Sequence, residues 1–335
     1  MKKYVNLFVF VFMIGACLSQ GRAQTESAVS YKNPVVDIAM PDPTVIKAAD
    51  GYFYVYATES TRNVPIMKSK DLVEWTYCNT AFTNKTRPRF EPKAGIWAPD
   101  INYINGKYVL YYAMSVWGGE QTCGIGVATA NSPQGPFTDH GKMFRSNEIG
   151  VQNSIDPSLL QYEGRNYLVW GSFRGIYVIE LTADGLSIMP GAKKKRIAGT
   201  AFEAVYIHKH DDYYYMFASI GSCCQGVKST YKVVVGRSKK VWGPYKDKTG
   251  KPMLKNGYSL VIGANDHFVG NGHGSQIIRD DAGQDWLLYH GFSRSTPENG
   301  RILLLDQIKW DHEGWPYVEG GSPSYETQKA PVFNN

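Results

Sequence analysis

Five aromatic-rich segments recur along the chain, and no other feature of the sequence restricts its fold as much. They are Tyr52-Phe53-Tyr54-Val55-Tyr56-Ala57-Thr58, Lys107-Tyr108-Val109-Leu110-Tyr111-Tyr112-Ala113, Asn166-Tyr167-Leu168-Val169-Trp170-Gly171-Ser172, Tyr213-Tyr214-Tyr215-Met216-Phe217-Ala218-Ser219 and Asp285-Trp286-Leu287-Leu288-Tyr289-His290-Gly291. The units start at 52, 107, 166, 213 and 285, so the spacings are 55, 59, 47 and 72 residues. Each follows a turn signal: Asp50-Gly51, Asn105-Gly106, Glu163-Gly164, His210-Asp211-Asp212 and Ala282-Gly283. A shorter strand precedes each, at Thr44–Ile46, Ile101–Ile104, Ser158–Leu160, Ala204–Ile207 and Ser275–Ile278, and further strands follow. Long helical periodicity is missing. Five phased units of about four strands predict an all-β chain, a single-domain five-bladed β-propeller over 33–335. An irregular β-sandwich is the poorer account.

A polar residue stands 7 to 12 residues ahead of each aromatic strand: Asp42, Asp100, Asp156, Glu203 and His273. Innermost strands of a propeller line its axis, so these positions should meet at one mouth of the channel. Clustered carboxyl groups repel one another, and burial raises some of their pKa values. Such a cluster suits catalysis better than structure. Glycoside hydrolysis needs this pairing, one carboxyl protonated for the leaving oxygen and one ionised for water. Any single Asp-Pro, as at Asp42-Pro43 or Asp156-Pro157, reads as an ordinary turn; repetition in phase decides the matter. Asp100 reads as a brace or sugar contact rather than a reacting group. Trp97, Trp117 and Phe173 are candidate platforms for sugar rings, with core packing as the alternative for each.

The chain begins with Lys2 and Lys3 and an apolar run over Val5–Ala16, followed by small residues up to Ala23. This reads as an export signal over 1–23, with a linker over 24–32. Cleavage after Ala23 would free the protein. Alternatively, Ile14-Gly15-Ala16-Cys17 forms a lipobox that would attach it to a membrane through lipidated Cys17. The expected location is the bacterial periplasm, cell surface or medium. Formal net charge is +6, and removal of Lys2, Lys3 and Arg22 leaves +3. That balance argues against nucleic acid as a partner, and no protein partner is evident. Cys78, Cys123 and the adjacent Cys223 and Cys224 do not make a disulfide scaffold or a zinc motif; the redox state of the adjacent pair stays open.

An ordered set of segments resembles glycoside hydrolase family 43, and within it the arabinanases. It comprises Asp42-Pro43-Thr44-Val45-Ile46, Trp97-Ala98-Pro99-Asp100-Ile101, Asn153-Ser154-Ile155-Asp156-Pro157-Ser158, Tyr167 to Phe173, Phe202-Glu203-Ala204, Gly221-Ser222-Cys223-Cys224-Gln225-Gly226 with Ser229-Thr230-Tyr231, Gly270-Asn271-Gly272-His273 and Gly314-Trp315-Pro316. The resemblance implies inverting cleavage of α-1,5-linked arabinan or arabino-oligosaccharides, by endo attack. Asp42 would be the general base and Glu203 the general acid, and Asp156 would raise the pKa of that acid and orient it. The two working carboxyls are expected roughly 6.5–9.5 Å apart. His273 matches a histidine beside a channel metal ion, usually calcium, held largely through water. Gly118, Asn153, Ser154, Ser172, Phe173 and Arg174 would border the sugar. Met40-Pro41, Trp117 and Arg174 depart from the common pattern and bear on subsites. The rival readings are exo attack, arabinofuranosidase or β-xylosidase action on the same fold, and a non-catalytic sugar-binding propeller.

Overall fold

The computed structural model describes residues 1, 29–59 and 62–334; the expected export signal beyond Met1, Cys17 included, lies outside them. Five antiparallel sheets succeed one another along the chain. Blade 1 runs Thr44–Lys47, Phe53–Tyr56, Pro65–Ser69 and Thr76–Thr80, and blade 2 runs Gly95–Ile104, Lys107–Ser115, Gly124–Ala130 and Thr138–Arg145. Ser158–Tyr162, Arg165–Trp170, Ile176–Glu180 and Lys195–Ala198 form blade 3, and Glu203–His210, Tyr213–Ile220, Lys232–Ser238 and Ser259–Ile262 form blade 4. Each blade begins with its innermost strand. The hairpins follow from the turn residues: Asn105-Gly106 and Glu163-Gly164 both take left-handed backbone at both positions, as a two-residue type I′ turn requires. Among the described residues the α-helix content is one turn, Ser146–Ile149.

Blade 5 departs from the expected pattern. Its inner strand is Phe268–Gly272 rather than Ser275–Ile278; beyond a break at 273–277 only Ile278–Arg279 pairs again with Asp285–Ser293. Gly272, the last residue of that strand, leaves room for Tyr231: a Cβ there would lie 2.2 Å from its ring. The outer strand comes from the other end of the chain, since Val36–Ala39 pairs with Ile302–Trp310. Asn33 reinforces this closure, its side chain donating to Leu305 O and accepting from Leu305 N, both at 2.9 Å. Ser30–Tyr31, at the end of the expected linker, pairs with Gln328–Lys329. Between the closing blades Val45, Phe53, Val55 and Met67 pack on Trp286, Leu288, Leu303 and Leu305, each worth about 1.5–3 kcal/mol on burial. That packing sets the two ends of the ring against each other and fixes the channel mouth.

Candidate active site

One backbone feature repeats along the inner segment of all five blades. Asp42, Ala98, Asp156, Ala204 and His273 have φ of 54°, 41°, 56°, 53° and 50°. Asp and His tolerate this left-handed region better than most side chains, whereas at Ala it carries strain. In blades 2 and 4 the ladder slips by one residue there. Trp97 pairs with Ala113 but Asp100 with Tyr111; Glu203 pairs with Ser219 but Tyr206 with Phe217. This is a β-bulge, which re-aims the side chains on either side of it. The residues just before the left-handed position (Pro41, Trp97, Ile155 and Glu203) face a cleft of about 580 Å³, as do Asp42, Asp156 and His273 at that position itself. The residues two further on (Thr44, Asp100, Ser158, Tyr206 and Ser275) line a separate channel cavity of about 20 Å³.

The expected ring of five equivalent heads therefore resolves into layers. Glu203 stands one place before the bulge, and Asp100 stands two places after it. Asp100 belongs to the channel wall, where it accepts from Asn102 Nδ2 at 2.7 Å and Leu159 N at 2.8 Å. Burial pushes its carboxyl up to about 7 against those hydrogen bonds.

Asp42 is the ionised member of the cleft. Oδ1 receives Arg301 Nη1 at 2.6 Å and lies 3.2 Å from His273 Nδ1, and Oδ2 accepts from Thr58 Oγ1 at 2.6 Å. The Asp42 N–H donates to His290 Nδ1 at 3.0 Å. Burial alone would raise this carboxyl, but Arg301 and then His273 outweigh it and hold it well below the usual carboxylate range. Reciprocally, burial would lower the His273 imidazole, yet Asp42, Asp156 and Glu203 raise it above its ordinary value.

Asp156 and Glu203 behave in the opposite way. Burial, and then the neighbouring Glu203 charge, push Asp156 up to about 8. Glu203 is also raised by burial, although Ser172 and Tyr231 donate to it and His273 opposes the shift. Ser172 Oγ donates to Glu203 Oε2 at 2.6 Å and accepts from Asn153 Nδ2 at 2.9 Å. With Asp156 pushed up to about 8, the pair holds a proton at neutral pH. One cleft thus presents an ionised carboxylate opposite a proton-holding pair, the division that acid–base cleavage of a glycosidic bond requires.

The sequence profile of glycosyl hydrolases family 43 matches residues 31–316. The chain belongs to this family. It is 37% identical over 290 residues to an extracellular endo-α-(1→5)-L-arabinanase of Bacillus subtilis, covering 82% of this chain and 86% of the relative. It is 36% identical over 307 residues to an extracellular exo-α-(1→5)-L-arabinofuranosidase of Cellvibrio japonicus, covering 83% and 86%. Among solved structures, an α-L-arabinanase of Cellvibrio cellulosa complexed with arabinohexaose superposes with a TM-score of 0.77 at 33% identity, covering 86% of this chain and 98% of that one.

As a family 43 chain it places most of the sugar-binding candidates on the cleft wall: Trp97, Trp117, Gly118, Asn153, Ser172 and Phe173 all line it. Trp117 is 78% exposed and its ring lies 5.5 Å from that of Trp97. Two candidates do not reach it. Ser154 is fully buried; its Oγ donates to Val151 O at 2.8 Å and accepts from Trp170 Nε1 at 3.0 Å, so its work is packing. Arg174 points outward and grips both oxygens of Glu120 at 2.8 and 3.0 Å, and it is Glu120 that borders the cleft. Cys223 and Cys224 are joined in a disulfide on the cleft wall. Sequence reasoning missed Arg301, which belongs to no recurring segment, and Thr58 and His290, which stand at the ends of the first and fifth aromatic segments but were read there only as strand. Tyr231 was within reach, since it closes the Ser229-Thr230-Tyr231 stretch.

The channel cavity tests the fit of a metal ion. Its donors are mainly oxygens, from Thr44, Asp100, Asp156, Ser158, Ser275 and Gln276, as a hard cation prefers. His273 also lines it, and with Nδ1 turned to Asp42 only its other ring nitrogen is left for the channel.

Proposed function

We propose that this family 43 hydrolase cleaves α-1,5-linked arabinan within the chain, by single displacement with inversion. The carrying observation is the division of charge in one cleft: Asp42 held ionised by Arg301 and His273, with Asp156 and Glu203 raised by burial. Asp42 would take a proton from water as the water oxygen attacks the anomeric carbon. The bond from that carbon to the leaving oxygen breaks as Glu203 gives its proton to that oxygen. Repulsion between the Asp156 and Glu203 carboxylates keeps one proton within the pair, available to Glu203 until then. Ser172 and Tyr231 stabilise the Glu203 carboxylate left behind. Trp117 and Trp97 would stack on sugar rings, and Asn153 would orient Ser172.

The substrate reading draws support from relatives described as arabinan-cleaving enzymes. Endo attack is favoured by the Bacillus subtilis relative, and the Cellvibrio japonicus one keeps exo attack as the second reading. Calcium is the proposed channel ion, held mainly through water by the oxygen donors around Asp156 and Gln276; when bound it would add positive charge beside the carboxyl groups and support His273. Export is proposed from the 1–23 signal and from relatives described as extracellular. Loss of membrane association in Cys17→Ala would show lipidation.

The deciding assay is incubation of the mature chain with debranched linear arabinan, products being resolved by size over time. A ladder of oligosaccharides with rapidly falling viscosity supports endo attack. A single short product from the outset supports exo attack. Xylose release from an aryl-xyloside with intact arabinan refutes the substrate assignment.

A further inference from the structure

At the end of blade 4 remote from the cleft, the strand Glu203–His210 approaches Asp285–Ser293 of blade 5. His210 lies seven residues along the strand from Glu203, roughly 23 Å away at about 3.3 Å per residue. His208 and His210, two apart, project from one face of that strand. Asp285 opens the neighbouring strand, and the three side chains bring donor atoms within 4.8 Å of one another. The His210 and His208 rings are nearly parallel at 29°. His210 Nδ1 is 3.7 Å from Asp285 Oδ2, too long for a hydrogen bond.

The surroundings fix these donors. Trp310 lies flat on His210, centroids 3.6 Å apart and planes 8° apart, and its Nε1 donates to Asp285 Oδ2 at 2.8 Å. Asp285 is buried at 3% exposure. The competing cation, Arg279, stands 3.7 Å from Asp285 Oδ1 with its side chain 63% exposed. Asp211, 3.5 Å from His210 Nε2, is largely exposed.

We propose that His208, His210 and Asp285 form a binding site for a borderline divalent cation, zinc by its chemistry, that ties blade 4 to the closing blade 5. Two imidazoles and a carboxylate with a fourth position open to water suit zinc, whereas calcium and magnesium prefer oxygen-rich shells. Bonds of about 2.0–2.1 Å from a tetrahedral centre place donors roughly 3.4 Å apart, so side-chain shifts of about 1 Å complete the site. Trp310 supplies the outer hydrogen bond that orients the carboxylate. The site is separate from the catalytic cleft and its ion would not touch substrate.

The test uses the exported chain without residues 1–23, stripped with chelator and titrated with ZnCl₂ by calorimetry, with visible absorption of bound Co²⁺ as a second readout. The expected result is one zinc per chain and a raised unfolding temperature. His208→Gln and His210→Gln should each weaken zinc by more than the roughly 10–100-fold that losing an outer-shell partner costs. Both variants should hydrolyse arabinan at the wild-type rate, and His273→Gln should bind zinc unchanged. Absence of saturable zinc binding overturns the proposal. So does binding unaltered in both His208→Gln and His210→Gln, or binding lost in His273→Gln instead.

Discussion

Replacing Arg301 by Met removes the cation nearest Asp42 while keeping much of its apolar stem. Nη1 stands 2.6 Å from Oδ1, and the two side chains are only 17% and 11% exposed. Unit charges centred about 4 Å apart attract by about 4 kcal/mol at an effective dielectric of about 20. At about 1.4 kcal/mol per pKa unit, that sets a ceiling of about 3 units. His273, with Nδ1 at 3.2 Å, stays in place, so the Asp42 pKa should rise by about 1–3 units. The sign follows from the role: a general base works ionised, so raising its pKa costs activity on the acid side. The acid limb of the kcat/KM–pH profile on linear arabinan should therefore move up by the same amount, and Arg301→Lys should restore most of the shift. An acid limb in Arg301→Met that coincides with wild type would refute the reasoning. A shift as large in Arg301→Lys would equally remove charge as the cause.

Other outcomes test the remaining assignments. Glu203→Gln and Asp42→Asn should each lower kcat by roughly 10²–10⁴-fold while calorimetry still detects oligosaccharide binding; near-normal turnover in both would remove them from the chemistry. Tyr231→Phe deletes a donor to Glu203 that holds its pKa down, so the basic limb should move to higher pH, and a downward shift would contradict the contact. Ser154→Ala leaves Trp170 Nε1 without its acceptor and should cost about 1–3 kcal/mol in unfolding experiments with KM unchanged; a raised KM at wild-type stability would return Ser154 to the sugar site. Trp117→Ala should raise KM and leave kcat nearly unchanged, the mark of lost uniform binding, and an equal loss in kcat would place it nearer the reacting centre.

The blades were legible because an aromatic inner hairpin repeats with its turn residues, and both period and turn chemistry are local properties of a chain. The layering at the channel mouth was not. Counting back from each aromatic strand treats Asp42, Asp100 and Glu203 as equivalent, whereas a bulge adds a residue between the places of Glu203 and Asp100 and re-aims everything around it. Composition carries no mark of such a bulge, since Ala98 and Ala204 occupy the left-handed position as Asp42 does. Thr58 and His290 sit at the ends of aromatic repeats and Arg301 just before a third strand; nothing in the repeat marks them as site residues, and only the closed ring brings them to Asp42. Ser154 misled because it lies beside Asn153 and Asp156 in the same segment yet turns into the core.

The closure through Val36–Ala39 has a consequence for how the protein comes to life. That strand is among the first residues of the ring to be synthesised, yet its partner around Leu303 follows near the end. Until then the inner edges of blades 1 and 5 have no neighbour, and pairing so distant in sequence is slow. Asp42, three residues beyond Ala39, meets Arg301 and His290 only when the last blade docks. A half-made chain therefore has the acidic groups but not the cations that ready the base, so activity is the final property acquired and the first surrendered when the ring opens.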